Sequence, residues 1–172
     1  MHIGIFGLSG AGKTTLARSF SNLDKRLEII SASTLIKEWG GRIQYHELGR
    51  DRVSSNQSML VDAYREFKTI HQYTVIELHS VIETEEGVIE IDTEVLRGLE
   101  LDLGLFLKID PAILVERRRM DSTKKRRVAT ALELELLQER AIGICKVALG
   151  DKLKLVSSEL AFQKVKEALS IG

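Results

Sequence analysis

Gly7-Leu8-Ser9-Gly10-Ala11-Gly12-Lys13-Thr14 meets the phosphate-binding pattern G-x-x-x-x-G-K-[ST] at every fixed position. The flanks supply the context that the pattern requires. Met1 to Phe6 reads as a short buried strand carried by Ile3, Ile5 and Phe6, and Thr15 to Phe20 opens a helix with Leu16, Ala17 and Phe20 on its apolar side. Strand, loop, helix is the arrangement in which such a loop binds phosphate. A glycine-rich turn without a ligand is the alternative, and the match of all fixed positions directly after a strand argues against it.

The residue types follow from the chemistry. Gly7, Gly10 and Gly12 allow backbone angles and close approaches that a β-carbon would block, so successive amides can surround a β-phosphate. The helix then begins with its positive end toward the phosphates. Lys13 is a point charge that can reach the β- and γ-phosphates, and the Thr14 hydroxyl is the expected Mg²⁺ ligand. The expected cofactors are therefore ATP and Mg²⁺, held by Gly7, Ser9, Gly10, Ala11, Gly12, Lys13, Thr14 and Thr15.

Composition narrows the class. The chain has 172 residues, 44 % of them hydrophobic and 29 % charged, and reads as one domain spanning 1–172. Twenty-five basic residues balance twenty-five acidic ones, so no whole-chain charge draws it to nucleic acid or to anionic membrane. Any basic site must be local. Cys145 has no partner for an internal disulfide and sits in an apolar helical stretch, where a small core residue is the favoured reading. No leader is expected before the first strand, and no apolar run nears the roughly 20 residues needed to span a bilayer. A cytoplasmic protein without membrane partners is expected, and a homo-oligomer is compatible with the sequence.

Strands and helices alternate without a linker, repeat or low-complexity segment. Leu27 to Ser31 reads as a second strand and Thr34 to Trp39 as a short helix stopped by Gly40-Gly41. Ser54 with Gln57 forms a capping-box pattern, which predicts a helix from about Ser55 to Ile70. Tyr73 to Leu78 is a third strand. Val81 to Thr84 and Val88 to Ile91 suggest a small hairpin outside the main sheet. Leu103 to Ile109 is a fourth strand, Asp110-Pro111 starts a helix, and Thr130 with Glu133 caps a longer one toward Leu149. Lys152 to Val156 and Glu159 to Leu169 complete a fifth strand and a last helix. The expected fold is α/β: a five-stranded parallel sheet wound with helices on both faces, with ligands at the strands' carboxyl ends.

A second segment asks for an anion. Arg117, Arg118, Arg119, Lys124, Lys125, Arg126 and Arg127 place seven positive charges within eleven positions of a chain with zero net charge. A solvated loop is one alternative. Nucleic-acid contact is another, weakened because no aromatic side chains for base stacking lie nearby. The favoured reading is a lid over about 117–130 that neutralises charge on a transferring phosphoryl group, with Arg118 and Arg126 joining Lys13 as the catalytic candidates.

Taken together, the early phosphate loop, Ile76-Glu77-Leu78-His79 with the hairpin after it, Val95-Leu96-Arg97, and Glu116-Arg117-Arg118 through Asp121 to Lys124-Lys125-Arg126 resemble the archaeal-type adenylate kinases. The likeness runs along most of the chain and belongs within the wider nucleoside-monophosphate kinases. It implies transfer of the γ-phosphoryl group of Mg·ATP to a nucleoside monophosphate, with AMP the first candidate, and an acceptor-binding region after the second strand. On this resemblance Glu77 stands where the family usually has an aspartate, which keeps the carboxylate near the metal but lengthens its reach. His79 matches a histidine of the pattern and goes to the acceptor site, with a structural histidine as the alternative.

The acceptor region, about 31–70, resembles the family least. Ser31, Ser33 and Thr34 offer hydroxyls there, although turn and cap roles account for them as well. Arg50 and Arg52 could clamp an acceptor phosphate through the planar guanidinium fork, and Arg97 could do so from the mouth of the sheet. A kinase for a non-nucleotide acceptor and an ATPase switch acting on a ribosome-assembly or RNA partner remain as alternatives.

Overall fold

The computed structural model describes residues 1–41, 50–84, 87–121 and 129–170, with the backbone alone for 50–55. In chain order the elements are β1 (His2–Phe6), α1 (Lys13–Ser19), β2 (Leu27–Ser31), α2 (Ala32–Glu38), α3 (Arg50–Ile70), β3 (Tyr73–Glu77), β4 (Val81–Thr84), β5 (Gly87–Glu90), α4 (Thr93–Gly98), β6 (Leu103–Leu107), α5 (Pro111–Met120), α6 (Ala131–Leu149), β7 (Leu153–Val156) and α7 (Ser158–Ser170). A single 3₁₀ turn, Gly150–Lys152, leads into β7.

The main sheet has the order β2-β3-β1-β6-β7, and every neighbouring pair in it is parallel. β4 and β5 form a separate antiparallel hairpin. Alternation along the central strands sends side chains into two cores. Ile3 and Ile5 of β1, Val75 of β3 and Leu105 of β6 pack with Leu16, Ala17 and Phe20 of α1 and Val165 of α7. Phe6, Ile76 and Phe106 point the other way, into the layer with Tyr64, Leu96, Leu114 and Ile142. Burial on both faces explains why these strands read as nearly continuous apolar runs. Gly4 and Gly104 face each other in the β1–β6 register. A β-carbon at Gly104 would lie 2.6 Å from Leu149 Cδ1, so the α6 layer seats closely on the sheet only because that position is bare.

Capping fixes several helix starts as expected. Asp110 Oδ1 accepts from the amides of Ala112 and Ile113 with Pro111 in the first turn, and Thr130 with Glu133 makes a complete capping box. Gln138, buried inside α6, returns both of its amide ends to the backbone of Ile109 at the end of β6. The α3 helix differs from its expectation. It begins at Arg50, so the Ser54–Gln57 pattern lies inside the helix and does not cap it. No glycine or proline between 50 and 54 stops the helix from extending toward its amino end. Likewise α2 begins at Ala32, with the Ser31 side chain accepting from the Thr34 amide as its cap.

Because β1 lies in the middle and all five strands run the same way, the loop after β1 opens at the carboxyl edge of the sheet, between the ends of β3 and β6. No helix among the described residues is long and apolar enough to cross a membrane.

Candidate active site

The loop from Gly7 to Gly12 takes the conformation that its glycines permit. Gly10 has φ +89° and Gly12 φ +100°, both in the region that side chains rarely adopt. Gly12 is the N-cap of α1 and supplies no side-chain cap there, so the amides of the first turn of α1 face the loop without one.

An anion site built from backbone N–H groups needs the neighbouring carbonyls turned elsewhere and held there. Three cations do this. Lys13 Nζ donates to the carbonyls of Gly7 (2.7 Å) and Leu8 (3.1 Å). Arg118 Nε donates to Ser9 O at 2.9 Å, and Arg117 Nη1 donates to Ala11 O at 3.2 Å. Lys13 is buried, so its ammonium lies inside the loop where a phosphate would be its alternative partner.

The end of β3 meets this loop from one side. Glu77 is in register with Ile5 of β1 and with Ser31 of β2. The Thr14 hydroxyl donates to Glu77 Oε2 at 2.7 Å. With its hydrogen directed at the carboxylate, Thr14 Oγ1 keeps lone pairs for a cation. A hydroxyl and a carboxylate are hard oxygen donors of the kind Mg²⁺ prefers. Among the described residues no cluster of three or more His, Cys, Asp or Glu is placed to hold a metal. A cation here would therefore take Thr14 and Glu77, directly or through water, and complete its shell with phosphate oxygens and water.

On the far side of Glu77 the hydroxyls of Ser31, Ser33 and Thr34 converge. Ser31 Oγ lies 2.9 Å from Ser33 Oγ and 2.8 Å from Thr34 Oγ1 while capping α2. Cap and cluster are thus one feature, at the carboxyl end of β2. His79 follows Glu77 by two residues, half-buried on the way to the hairpin.

On the other side of the loop an open cleft of about 540 Å³ runs between α1 and the start of α7. Gly10, Gly12, Thr15 and Ser19 line one wall, with Arg117, Ser158 and Glu159 across from them. The Glu159 carboxyl is held below its usual range by its own backbone amide and by the Ser157 hydroxyl. It therefore stays an acceptor at neutral pH.

Not every expected residue arrives here. Arg97 sits in the last turn of α4, where it pairs with Glu94 and donates to Val147 O at 3.0 Å. That turn leads into β6 at the amino edge of the sheet, away from the phosphate loop, so the structure does not bring Arg97 to the acceptor side. The reason is packing: the last turn of α4 lies against the carboxyl end of α6, whose terminal carbonyls attract a cation. Arg126 and half of the expected lid, 122–128, lie outside the described residues, as do the side chains of Arg50 and Arg52. Arg118 is at the loop but bonded to Ser9 and to Glu83 of the hairpin. Glu83, Ser158 and Glu159 were not marked by any motif, since single acidic or hydroxyl residues in a hairpin or helix start carry no distinguishing pattern.

Residues 6–135, from the end of β1 into α6, match the AAA domain family. The chain belongs to that family. A search of curated proteins returns no match. Among solved structures, the AAA-family chain is similar to shikimate kinase from Bacteroides thetaiotaomicron, with TM-score 0.60, 18 % identity, and 99 % of this chain and 98 % of the other covered. Shikimate kinase from Aquifex aeolicus gives TM-score 0.62 at 15 % identity, covering 99 % and 95 %. A sugar kinase from Janibacter sp. gives TM-score 0.55 at 16 % identity, covering 98 % and 91 %. At these identities the likeness is one of fold: a phosphate-loop kinase sheet with its helices.

Proposed function

We propose that this chain transfers the γ-phosphoryl group of Mg·ATP to a small acceptor, with a nucleoside monophosphate, AMP first, as the acceptor class. The observation that carries the transfer is the joint placement of Lys13 in the glycine loop and the Thr14–Glu77 pair beside it. Lys13 exchanges its loop carbonyls for phosphate oxygens, and Thr14 and Glu77 orient a cation or its water shell. Bound Mg²⁺ would offset the charge of the phosphates and so favour in-line transfer. The loop amides and α1 hold the phosphates, and the Arg117 side of the cleft covers the rest of the nucleotide. Support for a nucleotide acceptor comes from the resemblance to the adenylate kinases and from the seven basic residues within 117–127.

A second acceptor class has its own support. The structurally similar proteins are named as shikimate and sugar kinases, and the acceptor side of Glu77 presents the hydroxyls of Ser31, Ser33 and Thr34 rather than a described cation. Neutral hydroxyls pair well with a polyol. The deciding experiment offers Mg·ATP with each nucleoside monophosphate, with shikimate and with simple sugars, and measures ADP together with phosphorylated product. AMP or another monophosphate as the preferred acceptor supports the first reading. Product only from the hydroxylated acids or sugars establishes the second. ADP without any phosphorylated acceptor removes both and leaves an ATPase.

A further inference from the structure

Arg118 is heavily engaged at the loop. Its side chain is only 6 % exposed, and three of its nitrogens are used: Nε to Ser9 O at 2.9 Å, Nη1 to Glu83 Oε2 at 2.9 Å and Nη2 to Glu83 Oε1 at 2.7 Å. The last two form a fork-to-carboxylate pair, the strongest geometry open to an arginine. Arg117, one residue earlier, is exposed, makes one longer bond to Ala11 O and lines the cleft. Neighbours in sequence therefore differ in freedom. Moving Arg118 onto a phosphate would leave the Glu83 carboxylate without its partner, whereas Arg117 can turn into the cleft at little cost.

What Arg118 holds is the peptide between Ser9 and Gly10. Gly10 has φ +89°, and its Cα faces Arg118 so closely that a β-carbon there would sit 3.2 Å from Arg118 Cγ. A glycine readily accepts the alternative φ that a flipped Ser9–Gly10 peptide would require. Such a flip would aim a carbonyl oxygen at the place where an anion must lie. The Arg118 bond to Ser9 O opposes it, and the Glu83 carboxylate fixes Arg118 in the orientation that makes the bond. Glu83 belongs to β4, outside the main sheet, so the hairpin is linked to the phosphate loop through this pair.

We infer that Glu83 is a positioning residue for the phosphate loop, acting through Arg118 on the carbonyl of Ser9. The inference rests on the proposed nucleotide site but makes its own demand: the loop must be held by a hairpin carboxylate before any nucleotide arrives. A second hairpin ion pair among the described residues, Glu90 with Arg140 of α6, supplies the control, because it ties the same hairpin to α6 rather than to the loop.

The test compares the parent protein with Glu83→Gln, Glu90→Gln and Arg118→Lys. Amide hydrogen exchange is followed over residues 8–12 without nucleotide, Mg·ADP affinity by calorimetry, and turnover at saturating Mg·ATP. Glu83→Gln keeps shape and removes charge. It is expected to speed exchange in the loop and weaken Mg·ADP about tenfold, the size found for residues that orient a binding group. Turnover at saturation is largely retained, since Glu83 touches no reacting atom. Arg118→Lys keeps charge but loses the fork and is expected to match it in loop exchange and in Mg·ADP affinity, which keeps the question decidable should Glu83→Gln fail to fold. Glu90→Gln should behave as the parent. A folded Glu83→Gln with parental exchange and affinity overturns the inference. So does an equal loss in Glu90→Gln, or an Arg118→Lys defect confined to turnover. If the parent binds no Mg·ADP, the nucleotide reading falls, while loop exchange alone still decides whether Glu83 holds the loop.

Discussion

The Thr14 hydroxyl, in the first turn of α1, donates to the Glu77 carboxylate at the end of β3 at 2.7 Å, bridging 63 residues of sequence. The bond depends on β1 and β3 being parallel neighbours, because only then do the loop after one and the last residue of the other share an edge. It also settles which way the hydroxyl points: hydrogen toward Glu77, lone pairs outward.

Glu77→Gln should therefore lower turnover about tenfold and raise the Mg²⁺ concentration needed for half-maximal activity, with the fold unchanged. An amide can still accept from Thr14, so loss of the charge is what the variant reports. Glu77→Asp is expected to recover little, because the shorter side chain falls back from Thr14. A Mg²⁺ titration of Glu77→Gln that overlays the parent would make the residue structural.

Lys13→Ala should remove nearly all phosphoryl transfer, about 10²–10³-fold or more, the scale for losing one preorganised charge-stabilising donor. The protein should remain folded, because Lys13 donates to carbonyls of its own loop and a shorter side chain leaves the two cores untouched. Melting temperatures supply the matched check. Mg·ATP at a hundredfold excess over its dissociation constant should stabilise the parent by about 2.7 kcal/mol, and the variant by much less. Absence of any shift in the parent would count against nucleotide binding altogether.

Local patterns were the legible part of this molecule. The loop from Gly7 to Thr14, the Asp110 cap and the Thr130–Glu133 box each depend on residues a few positions apart, and each forms as read. The central strands β1, β3 and β6 were legible because both of their faces are buried, which writes apolar runs into the sequence. Long-range polar pairing was not. Arg118 finds Glu83 across 35 positions, and Arg97 finds Val147 O across 50, through helix and hairpin orientations that no spacing rule encodes. A run of basic residues in sequence thus divides in space: Arg118 turns inward to the hairpin, Arg117 lines the cleft, and Arg119 pairs with Glu116 on the surface.

Gly10→Ala should destabilise the protein and weaken nucleotide binding together. The φ of +89° costs a residue with a β-carbon about 1–2 kcal/mol, and the added carbon would meet Arg118 Cγ at 3.2 Å and Leu114 Cδ1 at 3.3 Å. Chemical denaturation of the apo protein reads the first effect and Mg·ADP calorimetry the second. Parental values in both would mean that the loop relaxes freely, contrary to its close seating on α5.

Alkali should unfold the protein in a way that one thiol and one phenol control. Cys145 is buried in α6, and burial pushes its thiol up to about 11, partly offset by the Ser80 hydroxyl. Burial likewise raises the Tyr64 phenol, which shares a hydrogen bond with the Thr74 hydroxyl at 2.7 Å. Both groups are neutral in the folded protein over a pH range where they already ionise in the unfolded chain. The unfolded state then binds fewer protons than the folded one, so stability falls as pH rises. The thiol's contribution is fully present below its ordinary value near 9.0 and is lost progressively up to about pH 11, a change of about 2–3 kcal/mol. Denaturant midpoints measured from pH 7 to 11 should decline from about pH 9, and Cys145→Ala should flatten the first part of that decline while leaving the tyrosine part above about pH 10. At neutral pH the same burial predicts slow reaction of Cys145 with a disulfide reagent in the folded protein and fast reaction in denaturant. A flat profile from pH 7 to 11, or rapid labelling without denaturant, would show that α6 opens far more readily than its packing against Ser80 and the sheet implies.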